Sequence, residues 1–179
     1  MLDRTMSLRL VRDNIIEHGM RISMQNKNPY ISTFLAFSVV NNTDKDNGTG
    51  IKQLVGNAGL YYVCYELSKR GWNAMSTSRN ARGVDVVIYD QKGSKSHTIQ
   101  VKALSKRNPA LFGRSLNSLI AEYVFIVNNV LDEPKLYIVD TPTAKSLIHE
   151  GLKDGRKSYW FQPNDYEQFK DNWGIIENP

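Results

Sequence analysis

The stretch GVDVVIYDQKGSKSHTIQVKA, Gly83 to Ala103, constrains this chain more than any other. Two runs rich in Val, Ile, Thr and Tyr flank a turn-like QKGS, which is the signature of an antiparallel hairpin. The turn sets the register. If Lys92-Gly93 is a two-residue turn, opposed residues have numbers that sum to 185, and a four-residue loop from Gln91 to Ser94 leaves that sum unchanged. Asp85 then faces Gln100 across the ladder, and the period-two alternation of a strand sends Gln100 and Lys102 to one side. A largely apolar hairpin is thus expected to gather three polar side chains.

Such a cluster has two readings. One is a solvated sheet face carrying an Asp–Lys pair of little energetic weight. The other is a phosphodiester-hydrolysing site. In that case Asp85 offers a hard anionic oxygen to Mg²⁺, and the Gln100 side-chain oxygen and the Val101 carbonyl complete the protein ligands. Lys102 would stabilise the attacking hydroxide or the charge developing on the phosphate.

The surrounding chain reads as α/β. Ile51 to Arg70 has apolar positions at helical spacing and closes on Lys69, Arg70 and Gly71, a basic last turn with a glycine stop. Strands are expected over Trp72–Thr77, Val84–Tyr89 and His97–Leu104, and in AEYVFIVNNV and KLYIVD. Between them, Pro109 to Leu119 suggests a short helix from Leu111, Leu116 and Leu119. Thr141 is expected to cap a helix with Pro142 in its first turn, running to about Leu152. Tyr166, Phe169 and Trp173 fall at helical spacing and read as core. Residues 1–50 form a distinct accessory arm: a helical period over Met6–Ile22, a strand or buried helix over Ile31–Val40, and the polar linker NNTDKDNGTG. The second region is 51–179.

Charge and cysteine content bear on partners. The chain has 23 basic and 18 acidic residues, a net charge of +5, which permits a polyanionic partner. Cys64 is the single cysteine, so neither an intrachain disulfide nor a Cys-rich zinc site can form. His18, His97 and His149 have no ligand spacing. The start of the chain lacks a signal-peptide layout, and the apolar run ISTFLAFSVV is too short for a bilayer, so a cytoplasmic protein without membrane contact is expected.

GVDVVIYD…TIQVKA, preceded by GNAGLYYVCYELSKRGWNAMSTSRNARGVD, resembles the core of the PD-(D/E)XK nuclease superfamily, whose motif is an Asp on one strand and Glu/Gln-x-Lys on the next. The Gln-x-Lys form is similar to that of Mrr-like restriction endonucleases. The resemblance spans roughly Lys52 to Asp140. It implies a restriction-endonuclease-like αβββαβ core, a central mixed sheet flanked by helices, with the N-terminal arm added. It further implies a Mg²⁺-dependent DNA endonuclease, with Mn²⁺ able to substitute, Asp85, Gln100 and Lys102 as catalytic residues, and a homodimer for cutting two strands. Arg79, Arg82 and Ser78 before Asp85, with Lys106 and Arg107 beyond the second strand, are the expected DNA-backbone contacts. Many members carry a Glu on the first helix where this chain has Leu60; Asn57, one turn earlier, is the residue there able to reach the site through its amide. With Gln100 neutral, Asp85 would be the sole anionic ligand. That pattern also suits a catalytically inactive nucleic-acid-binding or protein-interaction member of the same fold.

Overall fold

The computed structural model describes residues 48–78 and 82–179. The expected features of the N-terminal arm, and Arg79, lie outside them. Helix α1 is Gly48–Ser68, so Gly48 to Gly50, read above as linker, form its first turn. Gly71 ends the run with φ +89°, a conformation that favours glycine. Strands β1 (Asn73–Ser76), β2 (Val86–Tyr89) and β3 (Ser96–Ala103) follow as an antiparallel meander.

The hairpin register is the expected one. Val86 pairs with Ile99 and Tyr89 with Ser96, with Gln91 to Ser94 forming the loop. Asp90 shapes that loop: its carboxylate accepts the backbone N–H groups of Ser94 at 2.7 Å and Lys95 at 3.2 Å, while Gly93 takes φ +69°.

Strand β5 (Tyr123–Asn128) lies parallel to β3, and β6 (Lys135–Asp140) lies antiparallel to β5, giving a five-stranded mixed sheet in the order β1-β2-β3-β5-β6. The crossover from β3 to β5 differs from expectation. Pro109–Leu119 holds strand β4 (Ala110–Gly113) and a 3₁₀ turn at Leu116–Ser118, not an α-helix. The leucine spacing misleads because Leu111 points outward, 66% exposed, while Ala110 and Phe112 on either side are buried. Their period is two.

Helix α2 (Thr141–Leu147) is capped by Asp140, whose carboxylate accepts the Thr143 N–H at 2.8 Å, and not by Thr141. It stops at Leu147, short of the expected Leu152, because the chain turns into β7 (His149–Lys153). That strand pairs with β8 (Arg156–Phe161), and β8 with β4, in a second, three-stranded sheet. Helix α3 (Pro163–Tyr166) and 3₁₀ segments at Glu167–Phe169 and Trp173–Ile175 complete the described body.

Alternation along the central strands builds two cores. On one face Ile88, Ile99, Phe125, Val127 and Ile138 pack with Val55, Val63 and Leu67 of α1. On the other, Val124, Ile126, Tyr137 and Val139 meet Ala110, Phe112, Ala144, Phe161 and Tyr166. Helix α1 therefore covers one face, whereas the second sheet, with residues of the helices Thr141–Leu147 and Pro163–Tyr166, covers the other. Tyr166 is fully buried, and Phe169 and Trp173 pack against these clusters as core residues. No helix among the described residues is long and apolar enough to cross a membrane.

Candidate functional site

Asp85 stands one residue before β2, where the meander opens. Its backbone N–H donates to the Ile99 carbonyl at 2.9 Å, and its carbonyl accepts the Thr77 N–H at 2.9 Å. In the observed register Val101 would oppose Val84. Instead the Val84 carbonyl accepts the Thr77 hydroxyl at 2.6 Å, and the Val101 N–H donates to Asp85 Oδ2 at 2.7 Å. The carboxylate thus fills a gap in the ladder and satisfies a backbone donor that the departing strand leaves behind. Just upstream, Gly83 has φ +76°, and a Cβ there would collide with the Ser118 carbonyl oxygen and crowd Ile120. The chain leading into Asp85 is pinned against the 3₁₀ turn.

A cleft of about 270 Å³ opens beside this carboxylate, lined by Gly56, Asn57, Leu60, Thr77, Ser78, Asp85 and Val101. Helix α1 approaches β3 closely enough to form it because Gly59 faces Ala103, and any Cβ at 59 would strike the Ala103 Cβ. Asn57 and Leu60 are carried to the cleft on either side of that contact.

Gln100 and Lys102 are not among the described residues lining the cleft. Alternation turns them away from Ile99, Val101 and Ala103, which pack on the α1 side. The Lys102 ammonium instead lies 4.9 Å from the centroid of the Phe112 ring. Burial holds its pKa below the ordinary lysine range, and the Asp85 charge pulls it partly back. Asp85 thus acts electrostatically on Lys102 although no ion pair joins them among the described residues. The regular-ladder cluster inferred from the hairpin is loosened for a simple reason: Asp85 sits beyond the end of β2 and is freed from its alternation.

Arg82, Ser78 and Lys106 are exposed. Arg107 is engaged elsewhere, pairing with Glu167 at 3.3 Å and donating to Asn164 at 3.1 Å. His97 contacts Glu122 at 3.1 Å and lies edge-on to Trp72 and Tyr123.

The donors facing the cleft are hard oxygens. Asp85 Oδ1, the Asn57 amide and the Ser78 hydroxyl have no hydrogen-bond partner among the described residues, which also contain no group of three His, Cys, Asp or Glu able to hold a metal ion. One carboxylate with neutral oxygens fits Mg²⁺, which keeps several waters and takes few protein ligands. It does not fit zinc, which prefers nitrogen and sulfur.

Sequence reasoning missed Phe112 and the structural use of the Thr77 hydroxyl. Phe112 carries no local signal, since β8, the strand that pairs with its own, lies about fifty residues on. No protein-family model matches the chain, and no curated protein matches it.

Proposed function

We propose that this domain hydrolyses phosphodiester bonds in DNA with the help of Mg²⁺, Mn²⁺ being able to substitute, on a restriction-endonuclease-like core. The observation that carries the reading is the Asp85 carboxylate, oriented by the Val101 N–H at 2.7 Å in a cleft beside α1, with a desolvated Lys102 near enough to feel its charge. An anchored carboxylate with one free oxygen and a lysine without an acidic partner form a charge pattern suited to a metal and a phosphate together.

Asp85 would hold the metal, assisted by Asn57 and water; Gln100, which the sequence pattern suggests as a ligand, lies off the cleft lining and is left out of this set. When bound, the ion would polarise the scissile phosphate and favour hydroxide. Lys102 supplies positive charge against the negative charge that builds on the phosphate. Arg82, Ser78 and Lys106 are free to position the backbone, whereas Arg107 is already paired with Glu167. Two copies acting together would cut both strands.

A non-catalytic nucleic-acid-binding role is the second reading. It is favoured by Leu60, an apolar side chain lining the cleft where the resembling nucleases carry a Glu. One experiment separates the two. Supercoiled, linear and branched DNA are incubated with the protein in Mg²⁺, Mn²⁺ or chelator, beside Lys102→Ala and Asp85→Asn. Metal-dependent nicking that both substitutions abolish supports hydrolysis. Retarded DNA mobility without cutting supports binding alone, and neither effect removes both.

A further inference from the structure

Strand β4 stands where the sequence suggests a crossover helix, and it reaches the candidate site through one side chain. Along its pairing with β8, Leu111 opposes Trp160 and Gly113 opposes Tyr159, so β4 advances two residues while β8 advances one. Phe112 is the extra residue of a β-bulge, and Gly113 follows it with φ +79°. The bulge bends and twists the strand locally while Phe112 keeps the inward side of β4, with Ala110 buried and Leu111 exposed before it. Here the ring is buried in the second core, beside Ala110, Phe161 and Leu119, and its centroid lies 4.9 Å from the Lys102 ammonium. Lys102 makes no hydrogen bond or ion pair among the described residues, so the ring is the directional partner they offer its charge.

We propose that Phe112 is the positioning residue of Lys102: the bulge holds an aromatic face against the ammonium and fixes where a long, flexible side chain points. A lysine stem has four rotatable bonds, and without such a partner its charge samples many places. The consequence for DNA cleavage rests on the hydrolytic reading above; the positioning itself does not.

The test is NMR on the full chain, following the Lys102 ε-methylene group, assigned by its loss in Lys102→Arg. An aromatic face against the ammonium shifts these protons upfield and separates the two of them. The shift is expected in the wild type, lost in Phe112→Leu, and restored in Phe112→Trp. Should Phe112→Leu fail to melt cooperatively, Phe112→Met replaces it, since methionine fills irregular gaps without a ring, and Phe112→Tyr, which keeps the ring, should retain the shift. In parallel, Phe112→Leu lowers kcat for DNA cleavage by roughly tenfold with KM unchanged, as a misplaced charge should. Unshifted methylene protons in the wild type overturn the proposal. So does a shift that survives in a folded variant without the ring. A ring-dependent shift with no cleavage by any protein sustains the positioning and sinks the hydrolytic reading instead.

Discussion

The two faces of strand β3 solve different problems. On the α1 face, Ile99, Val101 and Ala103 lie under a helix that comes so close that position 59 admits no side chain. On the other face lie Gln100 and Lys102, both half-buried, and the Lys102 ammonium lies against the ring of Phe112 from the second sheet. The first face is apolar and tightly interlocked. The second carries a half-buried charge, whose desolvation is costly unless the charge is paired or hydrogen-bonded. The α1 face thus combines the close helix–strand contact with the cleft beside Asp85, whereas the other face carries the Lys102–Phe112 contact.

That division can be broken by showing that the second face is merely another core, or sharpened by showing that the two unfold together. The largest effect is expected for Phe161→Ala, which removes a fully buried ring from the second core and should cost about 3–5 kcal/mol in denaturant melts. A single transition, lowered as a whole, would mean that both faces belong to one cooperative unit; a separate early transition would make the second sheet an appendage. Next comes Gly59→Ala, which forces a methyl group into Ala103 and should cost about 1–3 kcal/mol. Its control is Gly56→Ala on the same helix, where a Cβ meets nothing within 4 Å; that change should stabilise by about 0.5–1 kcal/mol. Equal effects at 56 and 59 would refute the close helix–strand approach.

The smallest effect tests the hairpin that joins the faces. The Ser94 hydroxyl, with the backbone N–H groups of Lys95, Ser94 and Gly93, holds the Asp90 carboxyl below its ordinary range. A group with a depressed folded-state pKa stabilises above its unfolded pKa, and that contribution disappears as pH falls through the folded value. The wild type should therefore lose stability on acidification below the usual carboxylate range more steeply than Asp90→Asn. Parallel acid profiles would show that the loop does not depend on that charge.

Much of the hairpin is legible in the residues. Gln91 to Ser94 contains a glycine ready for positive φ and follows an aspartate able to accept loop N–H groups, so turn chemistry and strand alternation agree on the register. The strand KLYIVD and the positive-φ Gly71 after α1 are legible for similar local reasons. The helix itself stops at Ser68, however, and Lys69 and Arg70 fall in the turn that follows, not in its last turn. What fails is where distant partners decide. Leu111 resembles a helical position until β8 pairs with its strand, and the residues after Leu147 look helical until His149 meets Trp160. In the candidate site, alternation correctly sets Gln100 and Lys102 on one side of β3. It does not foresee that Asp85, lying just before the first paired residue of β2, would turn its carboxylate to the Val101 N–H.

By itself the amino-acid order determined what short-range forces control: helix α1 and its glycine stop, the turn, the register, and the choice of Asp, Gln and Lys as the polar residues of an otherwise apolar ribbon. Tertiary structure alone decided where those polar groups face, which strand completes the second sheet, and that a phenylalanine lies against a lysine ten residues before it. The reason is physical. A turn or helix cap is satisfied by neighbours along the chain, whereas the direction of a side chain at the end of a strand depends on which backbone donor the fold leaves unpaired beside it.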